Sequence, residues 1–136
     1  IVGHMDVDYK IDEEDHVAYR EKIAEKGAFI QFDSVGKEAT YEYGVDPVPG
    51  PKLPKFPSDD QRVIAIKKLA EKGYVGHILL SQDTCAKMSL KKYGGPGYDH
   101  LLRSFVPKLR KSGINDKIIN TILVENPASV LPWNKE

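Results

Sequence analysis

The sequence has very little net charge, cysteine or uninterrupted apolar length. Its 136 residues carry 20 Lys and Arg against 20 Asp and Glu. A chain with balanced charge has no overall field that would favour nucleic acid or an anionic membrane as a partner. No apolar run approaches the roughly 20 residues of a membrane span, and no signal peptide is recognisable. We therefore predict a cytoplasmic protein whose partners include neither nucleic acid nor a membrane.

The single cysteine, Cys85, has no second thiol in the chain with which to form a disulfide. This fits a reducing compartment. The hydrophobic share of 40% is ordinary for one globular domain, and a domain of this length can bury a core. The chain opens with Ile-Val-Gly-His, without an initiator Met. This opening predicts that the sequence is part of a longer protein.

Apolar segments with the spacing of strands alternate with segments that have the spacing of helices. Strands are predicted at 1–3, 28–32 and 77–80. Helices are predicted from 12–15 to Gly27, from the Ser58 cap to Gly73, from Leu101 to Gly113, and from the Asn115 cap to Asn126-Pro127. This order indicates parallel strands with crossover helices. An open doubly wound sheet and a piece of a closed barrel both fit, and the chain could supply about three of a barrel's eight units.

The segment 34–57 is predicted to be irregular because five prolines, at 47, 49, 51, 54 and 57, exclude a regular helix or a central strand. Loops this long inside a compact domain are usually functional. We interpret it as an active-site loop, with a solvated linker between domains as the alternative.

Each predicted strand is followed by polar residues: His4, Asp33 and Ser81-Gln82-Asp83. Active residues of parallel α/β proteins gather at these strand ends, so the three positions predict one shared site. His4 and Asp83 are suitable zinc ligands, although two ligands do not complete a site. A histidine bonded to a carbonyl is the alternative for His4. Asp83 could act as a general base, and Asp33 is either a site residue or a loop cap.

Lysines follow the same strands. Lys37 comes after the second strand, and Lys87 lies between the third strand and the glycine-rich segment 93–97 that leads into a helix. Barrel enzymes often bind phosphate at such a loop and helix N-terminus. An anionic substrate group is therefore one interpretation, and solvated surface lysines beside a structural turn are the other.

Several segments, in the same order, resemble the phosphotriesterase family. Residues 2–4 followed by Asp6 resemble its sixth strand, 27–36 its seventh and 78–83 its eighth. Three further segments are similar to the family's last loop, last helix and closing motif: 93–100, 105–110 and 124–128. The resemblance covers nearly the whole chain and is strongest to the phosphotriesterase-related or homology proteins.

The resemblance implies an α/β fold, the C-terminal portion of a (β/α)8 TIM barrel with strands six to eight, their helices and a final helix. Residues 1–136 would then be part of a single domain of a metal-dependent hydrolase of the amidohydrolase superfamily. Its two divalent ions are expected to be Zn²⁺, with Mn²⁺ or Co²⁺ as alternatives. His4 corresponds to a metal ligand, and Asp83 to a ligand that also accepts a proton. The other ligands belong to strands outside this chain, so the piece alone is expected to be inactive.

One position departs from the family pattern. Lactonases of the family have arginine after the strand-seven aspartate and phosphotriesterases have histidine, whereas Ser34 follows Asp33 here. This departure weighs against a simple acyl-homoserine lactonase and an extended proton relay. Asp33 and Ser34 are expected to lie behind the metal ligands. Lys37 and Lys87 resemble basic residues that some relatives direct at a phosphorylated sugar lactone, and Tyr93 is expected to contact substrate with them.

The expected function is therefore catabolic hydrolysis of a lactone, a phosphorylated sugar lactone among them, by attack of a metal-bridged hydroxide. The partner would be a small and anionic substrate, and the assembly could be a homodimer. An amidase or phosphoesterase of the same family, and a non-catalytic or truncated barrel module, are the alternatives.

Overall fold

A computed structural model describes residues 1–6, 13–38 and 56–131, with only the backbone for 13–15. Strand β1 (Ile30–Phe32) pairs in parallel with β2 (Ile78–Leu80), so that Ile30 lies opposite Ile78. Val2 forms a parallel bridge to Ile30 on the other side of β1. The predicted parallel arrangement of three consecutive segments is confirmed. Most of the predicted loop 34–57, residues 39–55, lies outside the described residues.

Helices connect and follow these strands. The helices are α1 (Glu13–Ala24), α2 (Asp59–Glu71), α3 (Val106–Lys111), α4 (Asp116–Asn120) and α5 (Asn126–Val130). Two π-helical turns, Leu101–Phe105 and Thr121–Glu125, run directly into α3 and α5. Three short 3₁₀ turns lie at Val75–His77, Lys87–Ser89 and Lys91–Tyr93. None of the helices in the described ranges is long and apolar enough to cross a membrane.

Helix α2 begins with a complete capping box. The Ser58 hydroxyl accepts a hydrogen bond from the backbone N–H of Gln61 at 3.3 Å, and the Ser58 N–H donates to the Gln61 side chain at 2.8 Å. These bonds satisfy N–H groups that the first turn of a helix leaves without partners. The predicted Ser58 cap is confirmed, and the position of the first turn of α2 is fixed as a result.

The core lies where the helices pack on the two strands. Ile66 and Leu69 belong to the core stripe of α2 and are fully buried, as are residues of both strands and of the C-terminal helices. The fully buried apolar residues outside α2 are Ile30, Phe32, Val35, Ile78, Phe105, Leu109 and Ile122. Burial of a large aliphatic side chain contributes roughly 1.5–3 kcal/mol, so this cluster anchors the strands to the helices.

The predicted end of the last helix at Asn126-Pro127 is wrong, because helix continues through α5 to Val130. Pro127 stands at the start of α5, after the π-helical turn Thr121–Glu125. A wider turn moves the preceding carbonyls away from the proline ring, which otherwise clashes inside a helix. The Asn126 side chain also donates to the carbonyls of Val75 and Ile78, both at 2.8 Å. Tertiary bonds therefore hold the helix at the residue where the local sequence predicts a stop.

Gly36 and Gly73 offer a matched test of packing beside β1. Both have left-handed φ angles, 89° and 90°. A Cβ on Gly36 would lie 2.8 Å from Cδ2 of His100, whereas a Cβ on Gly73 would meet nothing within 4 Å. We expect Gly73→Ala to cost about 1–2 kcal/mol for the backbone alone. Gly36→Ala should cost a further ~1–3 kcal/mol for the crowded contact. Urea unfolding of both variants measures the difference, and equal losses would contradict the described packing.

Candidate metal centre

The candidate site residues follow the three parallel segments at their carboxyl ends. His4 comes two residues after Val2, Asp33 follows β1 directly, and Asp83 comes three residues after β2. Pairing continues past the strands, because the N–H of Val35 donates to the carbonyl of Ser81 at 3.2 Å. Carboxyl ends of neighbouring parallel strands meet at one edge of a sheet. The structure therefore places all three predicted residues at the same edge.

His4 and Asp83 share an unusual backbone conformation. Their φ angles are 54° and 42°, and they are the only non-glycine residues with positive φ in the described ranges. A left-handed conformation costs an L-residue roughly 1–2 kcal/mol and persists only where the surroundings impose it. Such residues cluster at functional sites. These two residues, which the sequence analysis predicts to be metal ligands, therefore share a strained backbone.

Asp33 orients the imidazole of His4. Its Oδ2 accepts a hydrogen bond from the backbone N–H of His4 at 2.8 Å, and its Oδ1 lies 3.0 Å from Nδ1 of the His4 ring. When Nδ1 donates this bond, Nε2 keeps the lone pair that a metal ligand needs. The His4 side chain is 60% exposed, so the ring is held on one edge and open to a ligand elsewhere. Asp33 therefore contacts both the backbone and the ring of His4.

Asp6 holds the backbone of the residues that follow β1. Its carboxylate accepts hydrogen bonds from the N–H groups of Asp33 and Ser34 at 3.2 and 3.0 Å. Ser34 in turn donates its hydroxyl to Asp33 Oδ1 at 3.3 Å. Burial raises the pKa of Asp6, while the guanidinium of Arg62, with Nε 2.7 Å from Asp6 Oδ2, acts in the opposite direction. The buried ion pair of Asp6 and Arg62 therefore fixes the backbone of Asp33 and Ser34.

Sequence reasoning missed Arg62 and Asp59 as contributors to this edge. The signal that could have found Arg62 is its spacing: positions 62, 66 and 69 lie on one helical face, and the other two are Ile66 and Leu69 of the core stripe. A charged residue on an apolar face must be paired when it is buried. Asp59, an acidic residue in the first turn of α2, is buried and pairs with Arg62 at 3.0 Å.

Lys37 lies against Asp83. Its ammonium group donates to Oδ2 of Asp83 and lies 3.7 Å from the sulfur of Cys85. Burial works to lower the pKa of Lys37, but the hydrogen bond and charge of Asp83, aided by Cys85, outweigh it and raise the pKa above its usual value. Lys37 is therefore a permanently charged partner of the candidate ligand. A metal ion and Lys37 could share Asp83, since a carboxylate has two oxygens.

Lys87 and Tyr93 come together in the loop that follows β2. The Lys87 ammonium lies 4.6 Å from the centre of the Tyr93 ring, and that of Lys92 lies 5.8 Å from it. The Tyr93 side chain is exposed. A cation over an aromatic ring gains modest stabilisation and keeps its charge available to solvent. Two of the three predicted substrate contacts therefore form one exposed cationic group, whereas the third, Lys37, lies separately on Asp83.

The ligand set at this edge is incomplete. In the part of the chain that the structure describes, no three His, Cys, Asp or Glu side chains are grouped as metal ligands. A catalytic zinc ion usually takes three protein ligands. The donor types nevertheless fit a divalent ion, since His4 provides an oriented imidazole and Asp83 a carboxylate. His4 and Asp83 are thus two donors of the kind that a divalent-metal site uses.

A comparison of the sequence with known families decides the relationship. The Phosphotriesterase family profile matches residues 1–131. The chain belongs to the phosphotriesterase family. Over 107 residues it is 37% identical to an N-acetyltaurine hydrolase from Salmo salar, a match that covers 78% of this chain and 29% of that protein. The chain thus spans about a third or less of this curated relative.

Solved structures of relatives have a fold similar to that of this chain. A resiniferatoxin-binding protein from Rhodobacter sphaeroides matches with a TM-score of 0.74 and 39% identity, over 87% of this chain and 30% of that one. The phosphotriesterase homology protein of Escherichia coli, complexed with phosphate in its active site, gives 0.71 and 30% over 87% and 35%. The lactonase Lmo2620 of Listeria monocytogenes gives 0.64 and 27% over 88% and 33%. Phosphotriesterase-family proteins are hydrolases on a TIM-barrel fold that typically use two metal ions.

The contact between Asp33 and His4 predicts the tautomer of the His4 ring, with the proton on Nδ1. In Asp33→Ala the acceptor facing Nδ1 is lost, while Asp6 still holds the backbone N–H groups of residues 33 and 34. We expect NMR of the imidazole nitrogens to show the proton on Nδ1 in the parent chain and a mixture of tautomers in the variant. Ser34→Ala, which removes only the hydroxyl donor to Asp33, should leave the parent pattern. An unchanged pattern in Asp33→Ala would show that the contact does not control His4.

Proposed function

We propose that this chain supplies strands six to eight of a (β/α)8-barrel hydrolase that works with two divalent metal ions. The observation that carries the proposal is the pair His4 and Asp83, both in a left-handed conformation at the carboxyl edge of parallel strands. Family membership over residues 1–131 supports it. The remaining ligands would come from strands outside this chain, and residues 34–57 are proposed to be an active-site loop.

The metal ions we propose are Zn²⁺, with Mn²⁺ or Co²⁺ as alternatives. When bound, they would supply the Lewis acidity that activates water and polarises the substrate. His4 would hold a metal through Nε2 because Asp33 engages Nδ1. Asp83 would contribute its carboxylate and take the proton of the attacking water. It would then deliver this proton to the leaving group.

Lys37 has a defined part in this scheme. Its ammonium group donates a hydrogen bond to Oδ2 of Asp83, the residue that would accept the proton. The side chain is nearly buried, so it contacts a substrate only where that substrate reaches Asp83. We therefore propose that Lys37 acts at the reacting end of the substrate.

Lys87 and Tyr93 suit the far end of the substrate. The ring is exposed and carries two ammonium groups near its face. We propose that this group binds an anionic tail of a small-molecule substrate. Phosphate in the active site of the Escherichia coli relative favours such a tail.

The bond that is cleaved lies at a carbonyl carbon in our proposal, and the relatives point to two substrate classes. The Listeria monocytogenes lactonase favours a lactone, including a phosphorylated sugar lactone. The N-acetyltaurine hydrolases favour an amide, whose taurine part carries a sulfonate. Both classes combine a carbonyl centre with room for an anionic tail. A homodimer and a cytoplasmic location complete the proposal.

A second candidate function is binding without catalysis on the same scaffold. The relative from Rhodobacter sphaeroides, which is named as a binding protein, favours it. Metal content separates the two functions: about two divalent ions per chain in the full-length natural protein, purified without chelators, would support the hydrolase. Absence of metal there would remove the hydrolase and leave the binding module.

Asp83→Asn tests the proton role. Asparagine tolerates the left-handed conformation and keeps the size of the side chain, so the fold should persist. In the full-length natural protein we expect metal content to be retained and kcat to fall by roughly 10²–10⁴-fold, the usual contribution of general acid–base catalysis. Asp116→Asn, which removes an exposed carboxylate paired with Arg110, should behave as the parent. Full activity of Asp83→Asn would exclude the role.

Lys87→Met tests the anion-binding group. A charge-assisted hydrogen bond to a tail contributes about 1.5–3 kcal/mol, so KM for a phosphorylated lactone or a sulfonated amide should rise roughly tenfold or more. Values of kcat, and KM for the matched uncharged substrate, should stay unchanged. Lys111→Met removes an exposed lysine at the end of α3 and serves as the control. An equal change for charged and uncharged substrates would contradict the assignment.

A further inference from the structure

A cluster of three buried charges lies beneath the candidate metal centre. Arg62, in the first turn of α2, donates from Nε to Asp6 Oδ2 at 2.7 Å and from Nη1 to Asp59 Oδ1 at 3.0 Å. The side chains of Arg62 and Asp6 are 0% exposed and that of Asp59 is 1% exposed. We call Asp6, Asp59 and Arg62 the buried ion cluster.

The buried ion cluster holds the backbone of residues 33–37, the turn that follows β1. Asp6 accepts from the N–H groups of Asp33 and Ser34. Asp59 accepts from the N–H of Gly36 at 3.0 Å, and Arg62 donates from Nη2 to the carbonyl of Lys37 at 2.9 Å. The N–H of Lys37 closes the turn on the carbonyl of Ser34 at 2.9 Å. Four backbone groups in five residues therefore depend on charged side chains from outside the turn.

The turn 33–37 contacts both candidate metal ligands. At its first residue Asp33 binds the His4 ring, and at its last residue Lys37 binds Asp83. Any shift or rotation of the turn would move these two contacts together. The turn is thus the structural element through which the cluster reaches the metal centre.

His100 ties a further element to the same cluster. Its Nε2 lies 2.7 Å from Asp59 Oδ2, and its ring covers Gly36 so closely that a Cβ there would lie 2.8 Å from it. His100 directly precedes the π-helical turn Leu101–Phe105. Asp59 therefore joins α2, the turn 33–37 and the start of the next helical segment.

Stability alone is a poor explanation of the buried ion cluster. Burying ions has a large desolvation cost, and well-packed apolar residues often replace a buried ion pair without loss of stability. What such groups provide in addition is a fixed hydrogen-bond geometry, which for arginine is a planar fork that lysine cannot reproduce. Here Nε and Nη1 of Arg62 donate to the carboxylates of Asp6 and Asp59, which hold the turn, and Nη2 donates to a carbonyl of the turn itself.

We propose that Arg62 and Asp59 are positioning residues that set the turn 33–37 and, through Asp33 and Lys37, the placement of His4 and Asp83 as metal ligands. The ligand roles rest on the proposed function. The control of the turn rests on the hydrogen bonds alone.

Asp59→Asn and Asp60→Asn form a matched pair for the test. Asp60 is the adjacent acidic residue, exposed and paired with Lys108 at 2.6 Å. In the full-length natural protein we expect Asp59→Asn to speed hydrogen exchange at the amide of Gly36 by at least about tenfold. The dissociation constant for Zn²⁺ should rise roughly 10–100-fold, as for other groups that orient ligands. Asp60→Asn should match the parent in both measurements, and Arg62→Lys should behave like Asp59→Asn because it loses the fork.

The outcomes separate positioning from general stabilisation. A lower melting temperature for Asp59→Asn, with exchange at Gly36 and Zn²⁺ affinity unchanged well below it, would overturn the proposal. If the parent binds no Zn²⁺, the proposed function fails, and exchange at Gly36 still decides whether the cluster controls the turn. If Asp59→Asn does not fold, Arg62→Lys, which keeps the charge and loses the planar fork, takes its place. Faster exchange at Gly36 in that variant supports the proposal, and unchanged exchange overturns it.

Discussion

The described structure depends most on one guanidinium group, that of Arg62, shared between two buried carboxylates. Without it, Asp6 would be a buried carboxylate that has lost its cation, and Asp59 would keep its contact with His100. Removing one partner of a buried ion pair costs roughly 3–5 kcal/mol. With it, both carboxylates are free to accept from the N–H groups of the turn 33–37. The same pairing joins α2 to the segment that carries His4. The edge of the sheet is therefore built from ionic hydrogen bonds on top of an apolar core.

This construction explains why the capping box of α2 matters for a site that it never touches. Ser58 and Gln61 fix where the helix begins, and Asp59 and Arg62 project from the turn that follows. A different start of the helix would rotate both side chains away from the strands. The cap of α2, its first turn and the turn 33–37 are thus successive steps in placing His4 and Asp83, the two candidate ligands.

Much of the fold could be predicted from the sequence because it follows from local patterns. The apolar stripe of α2, the Ser58 cap and the short strands 28–32 and 77–80 each have a periodic or capping signal, and the structure contains them at these places. The end at Asn126-Pro127 was predicted wrongly because the decisive bonds, from Asn126 to Val75 and Ile78, join residues about fifty positions apart. Such contacts leave no local trace in the sequence.

The candidate site was likewise predictable only in part. Residues at strand ends, His4, Asp33 and Asp83, could be found because parallel strands bring their carboxyl ends together. The partners of Lys37 and the burial of Asp59 could not, since an acidic residue in a first helical turn is ordinarily a solvated one. The roles of the predicted site residues toward a substrate or metal stay predictions, and this applies to His4, Asp33, Ser34, Lys37, Asp83, Lys87 and Tyr93.

The left-handed backbone at His4 and Asp83 has a consequence for how such a chain would diverge. Under the proposed function, which requires an imidazole and a carboxylate at these positions, selection must tolerate the conformational strain at both. A descendant freed from that requirement would gain stability by accepting glycine or asparagine there, the residues that adopt this conformation most readily. Positions 4 and 83 would therefore record the loss of catalysis in a lineage earlier than the core would, because core residues are retained for packing whether or not the protein still turns over a substrate.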